Sequence, residues 1–119
     1  MFYTTVVKVV AEGSNRPLPG VRVSLYDKDL FSPDDLLGTA DTDAEGEARF
    51  RFTADKFAGD EDSVGPRGEF PELYAVVHAP DGSEVCSTRE DAKDNLPRRH
   101  ITITVPADAA RTHGWAAAG

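Results

Sequence analysis

Cysteine is nearly absent from this chain of 119 residues, where Cys86 stands alone. One thiol cannot close an internal disulfide, so the stapled framework of a small secreted domain is excluded and the fold must rest on packing. Basic charge is scarce too. Thirteen Lys and Arg face 21 Asp and Glu, for a formal net charge of −8 and a pI near 4.7. With no basic stripe to neutralise phosphates, nucleic acid and anionic membrane are poor partners, and a cation or a basic protein surface is the better match. Long apolar runs are missing, since no segment approaches the roughly 20 apolar residues of a membrane span. The opening "MFYTTVVKVVAEG" lacks a basic region followed by a long apolar stretch, because Thr4, Thr5 and Lys8 interrupt it. These absences lead to the expectation of a soluble protein outside classical secretion, cytoplasmic or exported by a non-classical route.

Helical periodicity is also missing. Instead, short apolar runs recur between Gly, Pro and Asp clusters, the pattern of an all-β sandwich or barrel. Seven strands are predicted, over residues 2–11, 21–26, 37–42, 47–53, 73–79, 83–88 and 100–106. Alternation assigns their faces: Val21, Val23 and Leu25, then Ala48, Phe50 and Phe52, then Ile101, Ile103 and Val105 point inward. The run "LYAVVHA" is apolar on both faces, as a central strand would be. The turn "DAEG" lets Gly46 take positive φ while Asp43 bonds nearby backbone. At this length one domain is expected, spanning 1–106, with a loose Ala-rich tail over 107–119.

The acids are unevenly placed. If successive strands run antiparallel, the connections over 27–35, 55–69 and 89–98 emerge at one end of the sandwich. They carry Asp27, Asp29, Asp34, Asp35, Asp55, Asp60, Glu61, Asp62, Glu69, Glu90, Asp91 and Asp94. Binding function usually sits in loops held on a rigid scaffold, so this acidic end is the candidate surface.

The stretch "VRVSLYDKDLFSPDDLLGTADTDAEGEARF", followed by "PELYAVVHAPDG" and "RRHITITVP", resembles the transthyretin-like family over roughly residues 5 to 105. The resemblance implies a seven-stranded Greek-key sandwich of the prealbumin or immunoglobulin-like type, related to carboxypeptidase regulatory-like domains. It also implies a binding or accessory role. Family members usually carry a signal peptide and paired cysteines, which this chain does not show. Enzymatic and covalent relatives fit poorly. The tail "RTHGWAAAG" lacks the "Y-R-G-S" signature of hydroxyisourate hydrolases. Tyr3, Tyr26, Tyr74, His78, His100 and His113 do not show the iron-holding spacing of intradiol dioxygenases, and His78 stands where a pilin-type module needs a catalytic Glu.

Several site readings follow. Asp27, Asp29 and Asp35 are similar in spacing to the third calcium loop of calcium-and-lipid-binding domains. With Asp60 and Asp62 they are the candidate calcium ligands, since calcium takes six to eight oxygens. The plainer reading has these acids capping turns or solvated beside neighbouring cations. Phe31, Asp34, Phe57 and Glu61 are candidate contacts for a protein partner, the phenylalanines being either loop anchors or hot spots. His78 and His100 could pair across a sheet as metal ligands or as a base, or be satisfied strand residues. Cys86 reads as a packed residue and not a nucleophile. Edge strands, with the first and sixth strands poor in charge, could pair two copies. The expected function is a non-enzymatic binding or adaptor module at the acidic end, with no certain cofactor. A calcium-dependent binder of lipid or glycan and a cryptic hydrolase are the alternatives.

Overall fold

The computed structural model describes residues 2–28, 33–53, 73–91 and 100–115. Among these, seven strands form two sheets: β1 (Phe2–Ala11), β2 (Arg22–Asp27), β3 (Asp35–Asp41), β4 (Glu47–Thr53), β5 (Leu73–His78), β6 (Glu84–Ser87) and β7 (His100–Val105). One sheet has the order β4-β1-β7 and the other β3-β2-β5-β6. β1 is antiparallel to β4 and parallel to β7, while β2 is antiparallel to both β3 and β5, and β5 to β6. The tight turn between β3 and β4, closed by the Asp43 N–H on the Glu47 carbonyl, reverses the chain from one sheet to the other, so directions alternate along the chain and the connections that follow β2, β4 and β6 leave from the same end.

The core lies between the sheets and is built from the predicted inward faces. Val21, Val23, Leu25, Val77 and Val105 are fully buried, and Ala48, Phe50, Phe52, Ile101 and Ile103 nearly so. β1 is buried along most of its length, as befits the middle strand of its sheet. That position corrects the expectation that the first strand offers a free edge. Among the described residues the edges are β3 and β6 in one sheet and β4 and β7 in the other.

Two corrections concern other elements. The segment after Pro106, expected to be loose, forms a short helix, α1 (Ala107–Thr112), whose Ala110 is buried in the core cluster. Trp115 packs against the same cluster, and Glu12 Oε1 accepts a hydrogen bond from the Ala107 N–H at the helix start. His78 and His100 lie in different sheets, so they do not pair across one. An α helix of this length is marginal on its own in water, so burial of Ala110 and Trp115 is what holds it.

The end opposite the long connections is closed by hydrogen bonds. Asp43 Oδ1 accepts from the N–H groups of Glu45 and Glu47, and Gly46, at φ 75°, donates its N–H to the Asp43 carbonyl. The Gly46 carbonyl accepts from the Val9 N–H, so this turn is pinned to the middle of the opposite sheet. A Cβ at Gly46 would stand 2.7 Å from Pro17 Cβ, so both conformation and space demand glycine. Buried beside it, Thr42 Oγ1 accepts from the Val21 N–H at 2.9 Å and donates to the Leu18 carbonyl at 2.6 Å. Thr42→Val keeps the shape and strands both backbone groups. It is expected to lower stability by roughly 2–4 kcal/mol and Tm by at least about 5 °C, which urea and thermal unfolding would measure.

Candidate binding face on the four-stranded sheet

The outward face of β2 and β5 carries the groups that chemistry could use. Register places Tyr26 opposite Tyr74, Ser24 opposite Val76 and Arg22 opposite His78. Period-2 alternation sends all six away from the core. Tyr26 and Tyr74 stack with centroids 5.4 Å apart and planes 12° from parallel. Bulges in the two flanking strands set the rest. In β3 the register slips between Leu25 and Tyr26, leaving Leu36 54 % exposed while Leu37 packs on the core. In β6 the slip lets Val85 pack on the core and sets Glu84 opposite His78.

At the rim nearest the long connections, Asp34 is the anchor. The Tyr74 hydroxyl donates to Asp34 Oδ2, Arg89 Nε donates to the same oxygen at 2.8 Å, and Arg89 Nη2 reaches Oδ1 at 3.4 Å. The Asp34 side chain is only 14 % exposed, so this pair is better shielded than an ordinary surface bridge. Arg89 also lies over the Tyr74 ring, 5.9 Å from its centroid. The chain after β6 is steered there by local bonds: Thr88 exchanges hydrogen bonds with Ala75 through its N–H and its hydroxyl, and Ser87 Oγ accepts from the Arg89 N–H. Burial first, and then the hydrogen bond to the Asp34 carboxylate, raise the Tyr74 hydroxyl well above its ordinary pKa, with Arg89 opposing. The Asp34 carboxylate in turn raises the pKa of Arg89.

Further along the face, a second polar chain runs Thr39–Ser24–His78–Gly82. Ser24 Oγ lies 2.9 Å from Thr39 Oγ1 and 2.8 Å from His78 Nε2, and His78 Nδ1 lies 3.2 Å from the Gly82 carbonyl. A carbonyl only accepts, so Nδ1 carries the proton; in the neutral ring Nε2 then accepts from the Ser24 hydroxyl, which itself accepts from Thr39. This is the polarity of a nucleophile and its base. Ser24 is 3 % exposed, and Thr39 as well as His78 holds its oxygen. Cys86 is half-buried, with its thiol pushed up to about 11 by burial and the nearby Glu84 carboxylate, which makes it a poor nucleophile.

Tyr26, Tyr74 and His78, with the rim acids Asp34, Glu84 and Glu90, line one open concavity of about 790 Å³ on this face. His78 thus borders a cavity, whereas His100 does not border this one. The sequence-derived candidates meet it only in part. Asp34 is in the concavity wall, while Asp27 and Asp35 sit opposite each other at the adjoining ends of β2 and β3, Asp27 being buried. Asp29, Phe31, Phe57, Asp60, Glu61 and Asp62 lie outside the described residues. Among the described residues no three His, Cys, Asp or Glu side chains converge as metal ligands. Arg89, Tyr26, Tyr74 and Glu84 are among the members that sequence reasoning missed. The two tyrosines do occupy outward positions of their strands, but only the pairing of β2 with β5 brings them together.

The raised Tyr74 pKa carries a pH dependence. In the unfolded chain Tyr74 ionises near 10, while the folded protein retains the proton, so above that pH the unfolded state binds fewer protons and stability falls as pH rises. Asp34→Asn is expected to make this alkaline loss shallower. Urea unfolding of wild type and variant from neutral pH to pH 11 would check it, and parallel pH profiles would count against the Asp34 contact.

No protein-family model matches the chain. A stretch of 41 residues is 56 % identical to transthyretin-like protein 16 of Caenorhabditis elegans and spans 34 % of this chain and 31 % of that protein. Among solved structures, a 9R-lipoxygenase from Cyanothece PCC8801 superposes over 88 % of this chain with a TM-score of 0.58 and 19 % identity, covering 16 % of the lipoxygenase chain. Sea bream transthyretin, solved in complex with thyroxine, matches over 85 % of both chains at a TM-score of 0.45 and 13 % identity. Among the described residues no helix is long and apolar enough to cross a membrane. The fold is an all-β sandwich, and the chain is similar to the transthyretin-like family, as its residue pattern first indicated.

Proposed function

We propose that this chain is a non-enzymatic binding module that engages a protein partner through the outer face of the β3-β2-β5-β6 sheet and the adjoining acidic end. The observation that carries this reading is the Asp34–Tyr74–Arg89 cluster at the rim of a concavity of about 790 Å³. It ties the entry of β3, the middle of the sheet and the turn after β6 into one hydrogen-bonded wall. Preorganised walls reduce the ordering cost of association, which otherwise consumes much of the gain from contact. The expected Greek-key winding belongs with this reading, and the placement of β5 beside β2 and not beside β4 supports it. The cryptic-hydrolase alternative draws support from the Ser24–His78 polarity, but the closed position of Ser24 weighs against it.

Two measurements test the proposal. A photo-crosslinking residue at position 87, in the concavity, should trap one defined partner from the source extract, whereas the same residue at position 16, at the opposite end, should not. Equal trapping at both positions, or none at 87, would sink the reading. A fluorophosphonate probe should leave Ser24 unlabelled, and stoichiometric labelling of Ser24 would bring the hydrolase back.

A further inference from the structure

We propose that the concavity seats a lysine- or arginine-bearing segment of the partner, with its cationic groups balanced by Glu84 and Glu90 and apolar side-chain stems against Tyr26. The inference rests on the binding reading above and names the chemistry of what binds.

The wall already holds one cation, and the way it does so is informative. Arg89 is gripped by the Asp34 carboxylate and lies over the Tyr74 ring. That arrangement satisfies Asp34, Arg89 and the Tyr74 hydroxyl among themselves, with the carboxylate and guanidinium cancelling. Two carboxylates in the same wall, Glu84 and Glu90, are exposed and have no ion pair among the described residues. Tyr26, partly buried, lines the same concavity at the end where it stacks on Tyr74, while Glu84 stands opposite His78 further along the face. The concavity therefore offers a partly exposed aromatic ring and two acid groups with no cation to balance them. Lysine and arginine suit such a place, because a segment carrying several of them can lay an apolar stem on the Tyr26 ring while charged heads stay wet at the acids.

Other occupants fit less well. A divalent metal needs several converging ligands, and no three such side chains converge among the described residues. An anion would meet two unbalanced carboxylates, with Arg89 already committed to Asp34. A second copy of the chain would bring another net charge of −8 against this one. The basic segment alone gains from both the local charge and the field of the whole molecule.

The probe is an N-acetylated, C-amidated peptide alternating glycine with lysine and arginine, and the control is the same peptide with glutamine at every basic position. Titration calorimetry and NMR shift mapping at low and at physiological ionic strength would follow both. The basic peptide should bind and the control should not, with shifts at Tyr26, Val76, Glu84 and Glu90, and binding should weaken with salt. The double variant Glu84→Gln/Glu90→Gln should lower affinity about fivefold or more with an unchanged melting curve. A variant with the same charge change at the opposite end, Glu45→Gln/Asp108→Asn, should keep nearly all of it. Equal losses in both variants, shifts that avoid this face, or no binding of the basic peptide would overturn the inference. In the last case a defined crosslink at position 87 would leave the binding reading standing with a different ligand chemistry.

Discussion

The pairing of β2 with β5, from Arg22 opposite His78 to Asp27 opposite Leu73, is the constraint on which the rest depends. It joins two segments separated by more than a third of the chain, so its loop-closure cost must be met by burial, and Val23, Leu25, Ala75 and Val77 supply that on the inner face. Once the inner face fixes the register, the outer face has no freedom. Tyr26 must meet Tyr74, and Ser24 must reach His78. A slip of one residue would turn the core valines outward and dissolve both contacts together. Core packing and the candidate site are two faces of one pairing.

The polar groups of that outer face differ in how they are satisfied. The Thr39–Ser24–His78–Gly82 chain is closed, since each member finds its partner within the protein, and a closed chain fixes geometry more readily than it performs chemistry. The Asp34–Tyr74–Arg89 cluster is closed as well, yet it sits at the mouth of a concavity where Glu84 and Glu90 stay open to solvent. The contrast separates the part of the face that is satisfied within the protein from the part that stays open to solvent. It also explains why Tyr74 is 4 % exposed although its strand turns it away from the core.

The strands were legible in the sequence because a period of two leaves a local mark: "EARFRFT" and "HITITV" write their inner faces directly. Boundaries moved by a residue or two where bulges intervened, as in β3, where Leu36 and Leu37 split between solvent and core. The helix α1 was not legible, since "ADAART" is short and its reason for folding is Ala110 reaching a core built from distant strands. The acidic end is legible as a set of loops, and Asp34 among its members as a candidate contact. Its partners are not, because Tyr74 and Arg89 are 40 and 55 positions away and no local pattern announces such a meeting.

The most direct measurement of this arrangement is an NMR spectrum that looks for the Tyr74 hydroxyl proton. Held by a carboxylate and covered by Arg89, it should give a resolved, slowly exchanging resonance with contacts to the Arg89 Nε proton and to the Tyr26 ring. A Tyr74 hydroxyl exchanging freely with water, with no contact between the Tyr26 and Tyr74 rings, would contradict both the register and the wall that it builds.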